Sequence, residues 1–292
     1  MIDVLLPFYG DPELMRQTVR SVLSQSSSDW RLVVVDDGYP DDTIADWFAD
    51  LDDDRVEYHR NATNLGANLN YSRALELARA EHVVVMGADD VMLPNFLSTV
   101  AEALEAFPQA AVVQVGVEVI DGNGAVVQPL VDRLKTRLTP GSSDITLLQG
   151  ESALTSLMHG NWTYFPSLCW RTDVIRRIGF RPDFHVVQDL ALLMDVLLDD
   201  GALALHPTVA FQYRRHAGSD SAVKTLGGSR FDEEKRYFNL IASTLTERGL
   251  PHAARAARGH LTSRLHAAAL LPLAARSRDR AAVARLLRHA TR

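Results

Sequence analysis

Two pairs of acidic residues stand out as groups that could do chemistry. Asp36-Asp37 and Asp89-Asp90 each follow a short apolar run. Adjacent carboxylates repel each other unless a cation lies between them and a ligand. Their hard oxygens suit Mg²⁺ or Mn²⁺, which proteins commonly share with substrate phosphates. The Asp89-Asp90 pair therefore predicts a divalent-metal site, and the alternative is a solvated turn that caps the next helix.

Three further side chains suggest specific roles. The carboxylate of Asp37 can accept the ring N–H of uracil, thymine or guanine, whereas it would repel the bare ring nitrogen of cytosine. Asp189 begins a predicted helix and is a candidate general base for a hydroxyl. His216 follows a strand and precedes a flexible Gly- and Ser-containing segment, so it is a candidate contact for metal or phosphate. The alternative for Asp37 is an Asp-Gly turn, that for Asp189 is a helix N-cap, and that for His216 is a structural histidine.

These residues come together if the chain forms a parallel sheet. Apolar strand patterns cover residues 2–8, 32–35, 56–59 and 82–86, and helical patterns alternate with them. This order predicts a mostly parallel sheet flanked by helices. Functional groups in such sheets gather beyond the carboxyl ends of the strands. Tyr9, Asp36-Asp37 and Asp89-Asp90 lie at three such ends.

The second half of the chain is more irregular. A strand is predicted at 111–120, and the turn Asp121-Gly122-Asn123-Gly124 predicts a hairpin return at 125–127. Residues 130–144 and 217–229 are predicted to be mobile loops. The chain is predicted to be helical from residue 230. We therefore predict a main α/β domain at 1–229, with one half at about 1–110 and the other at about 111–229. A helical extension follows at 230–292.

Composition excludes several classes of protein. The chain has 292 residues, 47% of them hydrophobic, and a formal net charge of −7, which makes nucleic acid an unfavourable partner. The single cysteine, Cys169, excludes an internal disulfide and is predicted to be buried. The chain has no signal-peptide pattern or apolar span, which predicts a cytoplasmic protein.

The basic tail is a separate feature. Residues 251–292 contain nine arginines and one acidic residue. We predict that the whole extension, residues 230–292, packs against the acidic main domain or forms a dimer contact. The alternative is peripheral contact with the inner face of an anionic membrane through its basic amphipathic helix.

Several short motifs share an order and spacing with one enzyme family. They are Pro7-Phe8-Tyr9, Ser21-Val22-Leu23-Ser24-Gln25, Val34-Val35-Asp36-Asp37-Gly38, Asn64-Leu65-Gly66, Gly87-Ala88-Asp89-Asp90, Gln188-Asp189 and Tyr213-Arg214-Arg215-His216-Ala217-Gly218-Ser219. Over about residues 2–222 the chain resembles the family-2 glycosyltransferases, which have a GT-A fold. In four places the chain departs from the family pattern: Gly10 for Asn, Tyr39 for Ser, Gly87 for the first metal-motif acid, and Gln188 for Glu.

The resemblance implies a reaction and a set of roles. It makes residues 1–229 the catalytic domain, with the donor half at about 1–110 and the acceptor half at about 111–229, and the loops at 130–144 and 217–229 are then expected to order around the donor. It implies an inverting displacement in which Asp189 takes the acceptor proton, with Mn²⁺ or Mg²⁺ as cofactor. It assigns the metal to Asp90 and His216. The donor-binding residues are then Pro7, Tyr9, Asp37 and Asp89, with Asp37 and Tyr9 at the base and Asp89 between the ribose and the metal. Trp162 is a candidate platform for the acceptor sugar, and a core tryptophan is the alternative.

The predicted activity is transfer of a hexose or deoxyhexose from a nucleoside diphosphate sugar, with UDP or dTDP favoured over GDP. The acceptor would be a hydroxyl on a glycan, a lipid-linked intermediate or a natural product. Two rival interpretations stay open from the sequence. One is an inactive nucleotide-sugar or glycan-binding protein, which Gln188 favours. The other is a nucleotidyltransferase, which the single glycine after the first strand disfavours.

Overall fold

The first strands and helices alternate as the sequence predicts. A computed structural model describes residues 1–141, 143–216, 229–276 and 280–291. In order, the elements are β1 (Ile2–Phe8), α1 (Pro12–Leu23), β2 (Trp30–Asp36), α2 (Thr43–Ala49), β3 (Val56–Arg60), α3 (Ala67–Glu76), β4 (His82–Val85), β5 (Val91–Met92) and α4 (Phe96–Ala106). Helix α1 begins where predicted, because the Asp11 carboxylate caps it and Pro12 occupies its first turn.

The second half adds strands of both directions. Its elements are β6 (Val112–Ile120), β7 (Val126–Val127), α5 (Leu130–Leu138), β8 (Thr146–Gln149), α6 (Gly150–His159), a 3₁₀ turn (Phe165–Ser167), β9 (Leu168–Arg171), α7 (Thr172–Ile178), α8 (Gln188–Leu198) and β10 (Ala202–Arg214). The predicted hairpin is confirmed, since β7 pairs antiparallel with β6. Cys169 is buried on β9.

The sheet places the functional strand ends on one edge. Its order is β3-β2-β1-β4-β9-β6-β10-β5. Strands β3, β2, β1 and β4 are parallel neighbours. Strand β9 is antiparallel to both β4 and β6, while β6 is parallel to β10, so β10 runs in the same direction as β4. The carboxyl ends of β1, β2, β4 and β10 therefore share one edge.

The two faces of the sheet bury separate cores. Alternate residues of β1 and β2 point to opposite faces, so Leu5 and Val33 pack on one side while Val4 and Val34 pack on the other. All seven residues of β2 are buried, as expected for a central strand covered on both faces.

The prediction of a mobile loop at 130–144 is wrong in its first part, because residues 130–138 form α5. The apolar side chains of Leu130, Val131 and Leu134 are exposed, whereas Asp132 is buried. The buried side of this helix is therefore polar, and a hydrophobic stripe does not mark it. The second predicted loop, 217–229, lies outside the described residues except for Ser229, where a helix begins.

The C-terminal helices are α9 (Ser229–Glu247), α10 (Pro251–Gly259), α11 (Leu261–Arg276) and α12 (Arg280–Thr291). Tyr237 and Ile241 of α9 and Ala253 of α10 belong to the core on the Leu5 and Val33 side of the sheet. This confirms the predicted packing for these two helices. Two arginines of these helices donate to neutral groups. Arg258 donates to the Thr246 hydroxyl, and Arg264 donates to a backbone carbonyl. The domain boundary at residue 230 stays a prediction. Among the described residues, no helix is both long and apolar enough to cross a membrane.

A buried hydrogen-bonded cluster ties α9, α11 and α12 together. The Ser263 hydroxyl donates to Glu234, and its oxygen lies 2.7 Å from Nε2 of His289. Because the one hydroxyl proton goes to Glu234, His289 donates from Nε2, and its buried Nδ1 has no partner. Burial lowers the pKa of His289, and also that of His260, below the ordinary value of 6.5. Both histidines are therefore neutral in the folded protein at pH 7.5.

We expect acid to destabilise these helices. The folded state binds fewer protons than the unfolded state at these two histidines, so stability is full above pH 6.5 and falls as the pH drops below that value. Urea unfolding at pH 7.5 and pH 5.5 measures the difference. The His289→Gln variant keeps an N–H donor for Ser263 and cannot become charged, so its loss of stability between the two pH values should be smaller. An equal loss in the variant and the wild type would contradict this assignment.

Candidate active site

The end of β2 is held by the loop that follows β3. The Asp37 carboxylate accepts hydrogen bonds from Asn61 Nδ2 and from the backbone N–H groups of Leu65 and Gly66, each at 2.9 Å. Asp37 is only 1% exposed. The structure thus shows a role that the sequence did not reveal, since Asp37 fixes residues 61–66 over the sheet edge. Gly66 has a φ of +83°, a backbone conformation that favours glycine.

Asp36 is a second buried anchor, a role that its sequence pattern does not predict. It accepts hydrogen bonds from the Tyr39 backbone N–H at 2.7 Å and from the Tyr58 hydroxyl at 2.5 Å. Burial and the Asp36 carboxylate raise the pKa of Tyr58, which keeps its hydroxyl protonated as the donor. Tyr9, at the end of β1, is 56% exposed and contacts the Tyr39 ring edge-on. An exposed aromatic face beside this edge is therefore free to pack against a base, while Pro7 lies within β1 beside Val35.

The predicted metal residues lie together at the ends of β4 and β10. Asp90 is 1% exposed, and its Oδ1 accepts the Arg214 backbone N–H at 2.8 Å. Its other oxygen, Oδ2, is buried without a hydrogen-bond partner. Burial, and then the neighbouring Asp89 carboxylate, raise the pKa of Asp90. The carboxylate of Asp89 lies 2.8 Å from Nε2 of His216.

This donor set fits a hard divalent cation, although the described residues do not hold a ready-made three-ligand cluster of His, Cys, Asp and Glu. A buried carboxylate oxygen with no donor is costly unless a proton or a cation satisfies it. In the structure His216 is hydrogen-bonded to Asp89, so it would have to give up that contact to bind a metal. The same geometry explains why a glycine stands at position 87, because a Cβ there would lie 2.5 Å from Asp90 Oδ2.

The Ser21 and Gln25 motif holds the segment that follows this acidic pair. The Ser21 hydroxyl accepts the Met92 backbone N–H at 3.1 Å. The Gln25 amide donates to the Leu93 carbonyl at 2.7 Å and accepts the Leu97 N–H at 3.2 Å. The end of α1 and the residues just after it thereby fix the turn from Asp90 into α4. These backbone contacts explain the four-residue spacing of the two side chains.

Asp189 lies in the first turn of α8 and is partly exposed. One of its oxygens accepts the Leu190 backbone N–H at 2.7 Å, and the other accepts Asn161 Nδ2 at 3.3 Å. Lys135 lies close enough to interact electrostatically with this carboxylate. Burial lowers the pKa of Lys135 to about 8, and Asp189 opposes that shift. The Asp189 carboxylate is thus partly exposed, with one close and one longer hydrogen bond.

Sequence reasoning missed the polar residues that α5 brings to this side. Arg215 makes a bidentate ion pair with Asp132, with Nε 2.6 Å from Oδ2 and Nη2 2.8 Å from Oδ1. The Tyr164 hydroxyl donates to the same carboxylate at 2.9 Å, and the Lys135 ammonium donates to the Thr163 carbonyl at 2.7 Å. The Arg214-Arg215 sequence directly before His216 was the sequence feature that could have indicated these contacts. Its partner Asp132 lay in a segment predicted to be a loop.

Trp162 does not provide the predicted sugar platform. Its side chain is fully buried in the core on the Leu5 and Val33 side of the sheet, and its indole N–H donates to the Ser156 hydroxyl at 3.1 Å. The core alternative is therefore the one that the structure shows. The indole ring at position 162 is therefore a core side chain that is linked to α6 through Ser156.

Comparison with known proteins identifies the family. The model of glycosyl transferase family 2 matches residues 3–170, which is more than half of the chain. The chain therefore belongs to this family and is a glycosyltransferase. The match ends before the segments that carry Asp189 and His216.

Two relatives and one structure show the range of similarity. An uncharacterised protein of Mycobacterium tuberculosis is 24% identical over 265 residues, 87% of this chain and 80% of that protein. A GalNAc(5)-diNAcBac-PP-undecaprenol β-1,3-glucosyltransferase of Campylobacter jejuni is 30% identical over 103 residues, 35% of this chain and 33% of its own length. The crystal structure of S. aureus TarS 1-349 in complex with UDP-GlcNAc superposes with a TM-score of 0.65 at 17% identity, covering 83% of this chain and 65% of that one. This superposition confirms the GT-A fold.

Proposed function

We propose that the chain transfers one hexose or deoxyhexose from a UDP- or dTDP-linked donor to an acceptor hydroxyl, with inversion at the anomeric carbon. The observation that carries this proposal is the partnerless buried oxygen of Asp90 beside Asp89 and His216, at the same sheet edge as Tyr9. A nucleoside diphosphate brings both a base and a charged diphosphate to such an edge. The UDP-GlcNAc complex of TarS, which shares the fold, supports a UDP-linked donor.

Each site residue has a role in this proposal. Asp189 accepts the proton of the attacking hydroxyl, because it is a partly exposed carboxylate at the start of α8. Asp90 and His216 hold Mn²⁺ or Mg²⁺, and Asp89 links that site to the ribose. When bound, such a cation neutralises the charge that builds up on a diphosphate leaving group.

The base of the donor packs on the exposed ring of Tyr9. Asp37 Oδ2 has a single protein donor, Gly66, and a carboxylate oxygen can accept more than one hydrogen bond. That remaining capacity is the proposed contact for the ring N–H of uracil or thymine. Pro7 shapes the strand end beneath it.

The acceptor carries a hydroxyl on a glycan, a lipid-linked intermediate or a natural product. The name of the C. jejuni relative, which specifies an undecaprenol-linked substrate, supports the lipid-linked class. A packing or homo-oligomer role is proposed for the basic C-terminal helices, and membrane contact through them is the alternative that would bring a lipid-linked acceptor to the protein.

A thermal-shift screen of nucleoside diphosphates tests the donor assignment. With Mn²⁺ present, UDP or dTDP at about 100 times its dissociation constant should stabilise the folded state by roughly 2.7 kcal/mol. CDP should stabilise it less, because the bare ring nitrogen of cytosine would face Asp37. Tyr9→Ala should reduce the shift for UDP without lowering the melting temperature of the free protein. An equal shift with CDP and UDP would contradict the role of Asp37.

Product analysis tests inversion separately. The anomeric configuration of the transferred sugar, read by NMR from the first turnovers, should be opposite to that of the donor. Retention of the donor configuration would contradict the single-displacement mechanism.

A further inference from the structure

The segment just before the proposed base is fixed by a residue from the C-terminal extension. One carboxylate oxygen of Glu233, on α9, accepts the backbone N–H groups of His185, Val186 and Val187, at 2.9, 2.5 and 3.0 Å. Val187 is the residue that immediately precedes α8. Three donors on one oxygen define the position of that carboxylate and of the backbone around it. Asp189 follows two residues later.

Neighbouring contacts hold the same segment from both sides. From α9, Arg236 donates to the Asp183 carbonyl and its guanidinium lies 4.9 Å from the centre of the Phe184 ring. From α3, the Asn68 amide lies 2.7 Å from Nδ1 of His185. The Glu233 contact is the one that reaches the N–H groups next to the helix start. The helix start is also where an anion is favoured, because the helix dipole and unpaired N–H groups point there.

We propose that Glu233 is a positioning residue for the base, so that the helical extension is part of the catalytic unit. The inference rests on the proposed role of Asp189. Glu233 sets where the first turn of α8 presents Asp189 to an acceptor hydroxyl, and it contacts no substrate itself. The match to the family model ends at residue 170 and the motif resemblance ends at about residue 222, so Glu233 lies outside both.

Kinetics of the Glu233→Ala variant test this role. The variant should lower kcat for transfer by about 10- to 100-fold, because a small displacement of a reacting group has an effect of this size. The dissociation constant for UDP should not change. Glu233→Gln keeps an acceptor oxygen for the three N–H groups and should restore most of kcat. Glu247→Ala, the same change at the exposed end of the same helix, is the matched control and should resemble the wild type.

A double-mutant comparison separates positioning from general destabilisation. If Glu233 acts through Asp189, then adding Glu233→Ala to Asp189→Asn should cause little further loss, since the group to be positioned is already gone. A further loss equal to that in the wild-type background would overturn the proposal, as would a wild-type kcat in Glu233→Ala. If Glu233→Ala does not fold, Glu233→Asp tests the same point, because its shorter carboxylate cannot reach all three N–H groups, and an unchanged kcat there would overturn the proposal.

Failure of this inference is distinguishable from failure of the proposed function. A wild-type protein that turns over no donor contradicts the function. A wild-type protein that transfers sugar, loses transfer in Asp189→Asn and keeps it in Glu233→Ala contradicts only the positioning role.

Discussion

Replacing Asp189 with Asn is expected to lower the rate of sugar transfer by about 10²–10⁴-fold, the range typical of a lost general base. Asparagine has nearly the same shape and can still accept the Leu190 N–H through its amide oxygen, so the start of α8 should persist. What disappears is the group that takes the proton from the acceptor hydroxyl. The rate is measured as product formed per enzyme under saturating donor, and calorimetry with UDP gives donor affinity.

The matched control for this change lies just beyond the other end of the same helix. Asp200 is exposed and has a φ of +59°, a conformation that asparagine adopts readily. Asp200→Asn should therefore leave both the transfer rate and the melting temperature unchanged. Turnover at the wild-type rate in Asp189→Asn would remove Asp189 from the base role. Loss of UDP binding in that variant would point to a donor contact instead.

Asp90→Asn is the second change with a large expected effect. The amide oxygen can still accept the Arg214 N–H, while an NH₂ group replaces the partnerless Oδ2. The variant should fold as well as the wild type, because it removes a buried carboxylate whose pKa is raised by burial and by Asp89. An amide nitrogen does not bind Mn²⁺ or Mg²⁺, so metal-supported UDP binding should weaken by at least the roughly 10- to 100-fold seen when metal-site partners are lost.

Calorimetry with UDP in Mn²⁺ and in chelator tests the metal assignment. The wild type should bind UDP more weakly in chelator, and Asp90→Asn should show the same weak affinity in both conditions. His216→Ala should also weaken binding in Mn²⁺, while its control Arg258→Ala, on the exposed surface of the extension, should not. Equal affinity of the wild type in both conditions would contradict a metal-dependent donor site.

The strand ends could be predicted because local patterns determine them. Continuous apolar runs mark central strands that are buried on both faces, and β2 is buried at every residue. Polar residues directly after such runs then have to lie at one sheet edge. The sequence pattern alone is therefore sufficient to place Tyr9, Asp37 and Asp89-Asp90 at the same edge.

Residues that depend on tertiary contacts could not be predicted in this way. Helix α5 exposes Leu130 and buries Asp132, so its hydrophobic pattern gives the wrong buried face. The Asp132 carboxylate is paired with Arg215, which lies 83 positions away in the chain. Similarly, no local pattern connects Glu233 with the N–H groups of residues 185–187. Such contacts are properties of the folded chain.

The role of Trp162 could not be predicted from the sequence for a different reason. A tryptophan next to a polar turn is equally compatible with a ligand platform and with a core side chain, since both use its large apolar area. Burial decided between them, because the Trp162 side chain lies in the same hydrophobic core as residues of α6 and α8. Lys135 was missed for a related reason, because its proximity to Asp189 exists only once α5 has formed.

Release of nucleoside diphosphate from a panel of UDP- and dTDP-linked sugars tests whether this site transfers a sugar with Asp189 as the base. The protein is incubated with each donor, Mn²⁺ and either an acceptor mixture or water, beside Asp189→Asn and Asp200→Asn. Wild type and Asp200→Asn should release UDP or dTDP from at least one donor, and release should be about 10²–10⁴-fold slower in Asp189→Asn. Donor binding without release by the wild type, or equal release by Asp189→Asn, would contradict this assignment.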